Sequence, residues 1–301
     1  MTFAAMLLAD ARLPTGGHAY SSGVEPALRG GLAAERVREL MLGRAVTTSC
    51  VEAGTAVVAR HLLVPFDTPP SSAAQGAVVS EPASVAQGAE LSAPSSVAPG
   101  AVSSAPSSVA QGTVLSARPS VAPGATGLIA VEKAWAARTP SPALRDASRE
   151  LARGYRRLAR RLWPESPALA ALDRWFLSGV EGRFLSGAEG RFLSGAEGLD
   201  RPCRAVVLGA MAVELGLSPE DLARLVIYDE AAGAAAALLK LEPRDPAEVS
   251  GWILDACAAA EPHVTGLAAL TEPAAIPAAS APQTEEWAQA HATSDRRLFR
   301  A

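Results

Sequence analysis

The sequence predicts an all-α fold: a single helical-bundle domain carrying two low-complexity loop insertions. Three observations lead there. First, apolar residues recur at offsets of three and four, most clearly in Leu144, Ala147, Leu151, Tyr155, Leu158 and Leu162, and that is the helical period. Second, helix-start signals stand where such runs begin. Ser218-Pro219-Glu220-Asp221 supplies a cap, a proline at the first position and acids in the first turn, and Asp245-Pro246 repeats the device. Third, outside a few Gly/Pro/Ser-rich stretches the chain is Ala/Leu/Arg-rich, the composition of helix formers.

Taken in order, Thr2 caps a short helix over Phe3 to Asp10. Residues Pro14 to Glu25 then combine a proline, three glycines, a histidine, a tyrosine and two serines, which reads as a shaped loop. Pro14 fixes one φ, and Gly16 and Gly17 permit positive φ. A further turn of helix follows from Val24 and ends at Gly30-Gly31. Ala33 to Leu63 reads as one long helix, apolar on nearly every face in its second half, as a central bundle helix is. Helical character resumes near Leu128, breaks at Pro140-Ser141-Pro142, and returns from Ala143 to Trp163. The face of that helix opposite its apolar stripe carries Arg149, Arg153, Arg156, Arg157, Arg160 and Arg161, either a solvated surface or a docking face for an acidic partner. Arg204 to Leu217 is an apolar helix. Pro219 to about Ile227, Asp229 to Leu241 and Ala247 to about Ala260 follow as three more. Thr271 to Gln283 is a Pro/Ala linker, and Thr284 to Ala301 forms the tail.

Two segments interrupt this pattern. Residues 65–127 repeat a Pro-Ser-Val-Ala-Gly unit beginning at Pro82, Pro94, Pro106 and Pro119. Each unit offers only Val and Ala for a core, and its prolines break ladders, so the segment reads as a disordered insertion. Residues 176–199 repeat Phe-Leu-Ser-Gly from Phe176, Phe184 and Phe192. Two glycines per unit disfavour a helix, so this reads as a duplicated loop. The domain is therefore expected to comprise 1–64 and 128–301, with a partner-binding tail at 284–301. Its roughly 210 ordered residues suit one helical core.

Composition removes several classes. The net charge is -4, which gives no electrostatic reason to expect nucleic acid. No apolar run approaches the ~18 residues that span a bilayer. Met1 to Ala9 lacks the basic start and the length of a signal peptide. Cys50, Cys203 and Cys257 are scattered and odd in number, which argues against a disulfide framework or a zinc site. A cytoplasmic protein is expected. Walker, Rossmann and nucleophile-elbow patterns are all missing. The four histidines, His18, His61, His263 and His291, show no metal-ligand spacing. In the Pro14–Glu25 loop three readings stay open: a hydrolytic pair of His18 with Ser21 or Ser22, a metal site of His18 with Glu25, and a structural cap on the N-terminal segment.

The residues Leu8-Ala9-Asp10, Leu13-Pro14-Thr15-Gly16-Gly17, Ser21, Gly23 and Glu25 resemble the N-terminal signature of the UreF family of urease accessory proteins. Three further stretches are similar in order: Ser148 and Gly154; Val207-Leu208-Gly209 through Gly216-Leu217 with Tyr228 and the Ala-rich helix to Leu241; and His291 with Arg297-Leu298-Phe299. The sequence departs from the family form at His18, Tyr20 and Ser22, which stand where the family has Phe, His and Gly. The resemblance implies an all-α, non-catalytic adaptor. Such an adaptor dimerises, bridges a UreD/UreH-type scaffold and the GTPase UreG, and helps to insert nickel into apo-urease. Neither nucleic acid nor membrane would be a partner, and nickel would be handled by the complex rather than held here as a cofactor. The resemblance puts the signature or partner-binding role on Pro14, Thr15, Gly16, Gly17, His18, Ser21, Gly23, Glu25, Tyr228, His291, Arg297, Leu298 and Phe299. A stand-alone nickel-binding chaperone is the alternative, with a hydrolase using His18 and Ser21 or Ser22 behind it.

Overall fold

A helix over Thr48–Leu63 is the axis of the core: Val51, Ala53, Ala56, Val57, Val58 and Ala59 on it are all buried. The computed structural model describes residues 3–10, 13–64, 125–175, 201–295 and 297–299. Eleven helices occur among them, and no strand. They are α1 (Phe3–Leu8), α2 (Val24–Arg29), α3 (Val37–Ala45), α4 (Thr48–Leu63), α5 (Ala125–Arg138) and α6 (Pro142–Leu162). After these come α7 (167–175), α8 (Arg204–Glu214), α9 (Pro219–Leu241), α10 (Pro246–Ala268) and α11 (Pro282–Ala292). Internal contacts divide the chain into Met1–Phe66 with Ala122–Ala301, and Asp67–Val121. The second unit, and the repeats at 176–199, lie outside the described residues.

Helix α4 packs most extensively on α8 and α9, and α9 in turn on α10. The α4–α8 crossing is close because Gly209 faces it: a Cβ there would lie 2.6 Å from the Ala56 carbonyl oxygen. Arg60 at the end of α4 donates from Nε to the Leu217 carbonyl, satisfying an orphaned acceptor past the end of α8. Caps predicted from sequence are in place. Ser218 Oγ accepts from Asp221 N at 3.0 Å, and Asp245 Oδ1 accepts from Ala247 N at 2.9 Å.

Four element boundaries differ from the sequence reading, each for a local reason. The expected helix from Ala33 to Leu63 is a 3-10 turn at Ala34–Arg36 followed by α3 and α4. Thr47 breaks it, with φ -124° and ψ -93°. Its hydroxyl bonds back to the Gly43 carbonyl at 2.7 Å instead of capping α4. The two helices expected on either side of Tyr228 are the single α9, because Gly233 costs only about 1 kcal/mol against a face that buries Leu222, Val226, Ala234 and Leu238. Helix α10 runs past Ala260 to Ala268, carrying Pro262 on an exposed turn where water can take the carbonyl it frees. Finally, the end of the expected linker and the first part of the expected tail form α11, whose Thr284, Glu285, Ala288 and His291 are buried against the body of the protein. Only the residues after Thr293 continue as a tail.

The stripe predicted on α6 is also displaced. Its buried line is Arg149, Ala152, Tyr155 and Ala159, while Leu144, Ala147, Leu151 and Leu158 are half-buried and Leu162 is exposed. All three cysteines are free, with Cys50 and Cys203 buried. Among the described residues, no helix is long and apolar enough to cross a membrane.

Candidate functional site

The Pro14–Glu25 segment is built to be held from two sides. A 3-10 turn covers Gly17–Ala19, preceded by Gly16 at φ +87°. Gly23 at φ +82° turns the chain into α2 and places Glu25 in its first turn. Thr15 is buried, and its backbone lies directly on Gly154 of α6: a Cβ at 154 would sit 1.9 Å from the Thr15 carbonyl oxygen. The neighbouring Tyr155 phenol hydrogen-bonds the Thr15 side chain, and Arg157 reaches the Pro14 carbonyl. Gly154 on α6 is thus the floor on which the loop rests.

Glu25 closes the other side. It is 1% exposed. Its Oε1 accepts from the Leu298 backbone N–H at 2.8 Å and its Oε2 from that of Phe299 at 2.7 Å. Arg29 donates Nε to Oε1 at 2.9 Å, and His291 Nε2 lies 3.2 Å from Oε2. Burial alone would raise the Glu25 pKa, but the two amides, Arg29 and His291 together bring it below the ordinary carboxylate value. Burial pulls His291 below the usual histidine range, against the attraction of Glu25. Phe299 itself is buried, with Lys240 Nζ 5.4 Å from its ring centre and also close to the His18 carbonyl. Leu298 is 64% exposed, and Arg297 is exposed beside it.

So Glu25, His291, Leu298 and Phe299, named from sequence far apart, meet around one carboxylate. Phe299 is not an outward anchor, because it fills a socket in its own chain; Leu298 and Arg297 face out. Tyr228 stands apart, partly exposed on α9. His18 is exposed, Ser21 is wholly buried, and Ser22 Oγ faces the backbone of Gly233. His18 and the two hydroxyls are therefore not presented together to a substrate. Nor is Glu25 available to share a metal with His18, since both its oxygens are engaged. Among the described residues no group of three or more His, Cys, Asp or Glu is placed to hold a metal ion.

Beneath Ser22 and Gly23 lies a polar core that sequence reasoning missed. Arg204, buried at the start of α8, pairs with Asp229 at 3.0 Å and with Glu230, and lies 3.8 Å from Glu52. Arg44 meets Glu230 at 2.6 Å, and Trp135 donates to Glu52 at 2.6 Å. A cavity of about 100 Å³ sits among these groups, lined also by Tyr20, Thr48 and Ser148. The signal was present as single charges in apolar helices: Glu52 in α4, Arg204 heading the Val/Ala run of α8, and Asp229-Glu230 amid the alanines of α9. Ser148 has a defined task, accepting the Arg204 backbone N–H and so capping α8 from α6.

A family model described as UreF matches residues 109–257. The urease accessory protein UreF of Mycobacterium marinum is 35% identical over 168 residues, covering 54% of this chain and 62% of that one. Its namesakes from Mycobacterium sp. strain JLS and Mycolicibacterium vanbaalenii are each 28% identical over 98% of this chain and 96% of theirs. The chain is similar to UreF proteins along nearly its whole length. The geometry above gives the residues that resemble the UreF signature a common physical task. Thr15 and Gly154 seat the loop, Gly23 aims Glu25, and Glu25 binds the backbone that follows His291.

Proposed function

We propose that this protein is a non-catalytic adaptor in urease maturation, joining a UreD/UreH-type scaffold protein to the GTPase UreG, as a dimer, so that nickel is passed into apo-urease in the cytoplasm. Similarity to UreF proteins along nearly the whole chain supports the setting. The observation that carries the adaptor reading is the anchored tail. Glu25 holds two consecutive backbone amides, so Leu298 is displayed on a fixed backbone rather than a free end, with Arg297 beside it. An exposed leucine flanked by arginine, with its ordering entropy already lost, is the kind of anchor an interface uses.

The test is co-purification of the full chain with the scaffold protein and the GTPase, comparing wild type, Leu298→Asp and a truncation after Ser294. Loss of the scaffold from both variants, with an unchanged circular dichroism spectrum, is the expected result. Retention of the scaffold by the truncated chain sinks the tail assignment. The alternative of a stand-alone nickel chaperone requires tight nickel binding by the isolated chain, which calorimetry measures directly.

A further inference from the structure

Helix α6 turns three arginines to one side: Arg149, Arg153 and Arg156, at offsets of four and three, share a face. Arg201, just before α8, comes to meet them. Together with Ala152 and Pro202 they line a cavity of about 130 Å³. No acidic side chain lines it among the described residues. All four arginines have carboxylate neighbours that do not line the cavity: Glu150 meets Arg153 at 3.1 Å and stands 3.8 Å from Arg201, Asp173 meets Arg156 at 2.9 Å, and Glu132 and Asp146 stand 3.6 and 3.7 Å from Arg149. A guanidinium carries five N–H donors, so Arg149, Arg153 and Arg201 keep donors beyond these pairs.

Arg149 makes the case specific. It is 7% exposed, and its buried Nε–H has no hydrogen-bond acceptor. A buried charged donor left unmatched is costly unless something supplies the acceptor. The nearby α8 N-terminus does not compete for an anion, because the Cys203 N–H goes to Glu132 and the Arg204 N–H to Ser148. Four guanidiniums converging on a small space, one of them buried and under-satisfied, fit a ligand rich in acceptor oxygens and carrying more than one negative charge.

The structure assigns to Arg149, Arg153, Arg156 and Arg201 a binding site for a phosphate-class oxyanion. The cavity is well below the ~300 Å³ at which pockets for small organic molecules begin. It therefore takes a free oxyanion, or the terminal phosphate of a larger molecule whose remainder lies outside. This site is independent of the tail and of the adaptor reading, and it lies on the helix that also carries the signature loop.

Titration calorimetry of the full chain with inorganic phosphate, at constant ionic strength in chloride, tests it. Saturable one-to-one binding with a Kd at or below about 1 mM is expected. It should weaken at least about tenfold in the Arg153→Gln/Arg201→Gln double variant. Both side chains are about half exposed, 55% and 45%, so the variant folds, as its circular dichroism will show. Competition by ADP for the same heat identifies a phosphate group on a larger ligand; phosphate binding that ADP does not displace identifies the free anion. Either result supports the site. Phosphate heat that never saturates, acetate binding as well as phosphate, or equal affinity in the double variant overturns it.

Discussion

Replacing Glu25 with alanine should free the end of the chain without unfolding the bundle. The carboxylate accepts the Leu298 and Phe299 amides at 2.8 and 2.7 Å, and hydrogen bonds to a charged acceptor contribute about 1.5–3 kcal/mol each. The Arg29 arm is 46% exposed and adds little. Once released, both amides return to water, which recovers part of the loss. A net cost of about 3 kcal/mol remains, or a factor of ~100 in the ratio of docked to undocked tail. Amide hydrogen exchange reads this directly. Protection at Leu298 and Phe299 should fall by about that factor, while amides in the middle of α9 hold theirs. Glu25→Gln should lose nearly as much, because its NH₂ presents donors to one of the two amides. Acid should do the same as mutation. The Glu25 pKa is depressed in the folded state, so its contribution is complete above the unfolded carboxylate value and disappears as pH falls through the folded one. His291, held neutral by burial, also costs stability as pH falls through the unfolded histidine value. Undiminished protection of both amides in Glu25→Ala would refute the claim that this carboxylate holds the tail.

Two further outcomes follow from the packing. Gly154→Ala places a Cβ against the Thr15 backbone, which no rotamer change can relieve, so it should destabilise by about 1–3 kcal/mol despite the better helix propensity of alanine. Gly251→Ala on α10, where the Cβ meets nothing within 4 Å, should instead stabilise by roughly 0.5–1 kcal/mol; urea midpoints that rank the two variants the other way would contradict the seating of the loop on α6. Glu132 behaves oppositely to Glu25. Burial lifts its pKa to about 7 against the Cys203 amide and Arg149, so its protonated form favours the fold and that contribution fades between pH 4.5 and about 7. Glu132→Gln should flatten the stability profile across that window by an amount on the order of 3 kcal/mol, and an unchanged slope would show that the carboxyl is already ionised.

Sequence reading reached the helices whose ends carry side-chain caps and stopped short where tertiary contact decides. The starts of α9 and α10 were legible because Ser218 and Asp245 act within three residues of themselves. The α3–α4 break was not, because Thr47 is an ordinary helix residue until its hydroxyl turns back to Gly43. Glu25 stood out in sequence as the end of an odd loop, as a metal candidate with His18 and as a signature residue, but not as the holder of the tail. Its task needs two amides more than 270 residues away, and nothing local to Leu298 or Phe299 announces that their backbone is what gets bound. The Arg204 cluster was legible only as lone charges for the same reason: five charges dispersed over α3, α4, α8 and α9 become a site only after those helices pack.

The departures at His18, Tyr20 and Ser22 can be weighed against these contacts. His18 is exposed on a 3-10 turn, where an aromatic-to-imidazole change removes no buried surface. Tyr20 borders the cavity above Arg204, so its larger ring alters the roof of that polar core and not the Glu25 clamp. Ser22 is the informative one. It adopts φ +48°, the left-handed region in which the glycine of the family form is at ease and a serine is strained. Its hydroxyl lies over Gly233, where a Cβ would come within 2.8 Å. The serine is therefore accommodated by a missing side chain on α9, while the backbone turn into Gly23 and Glu25 keeps the left-handed conformation. Gly154, which has no room for a side chain beneath the loop, and Glu25, which binds the tail amides at its end, both match the family form. The three departures thus leave the Glu25 carboxylate and its contacts with the tail in place.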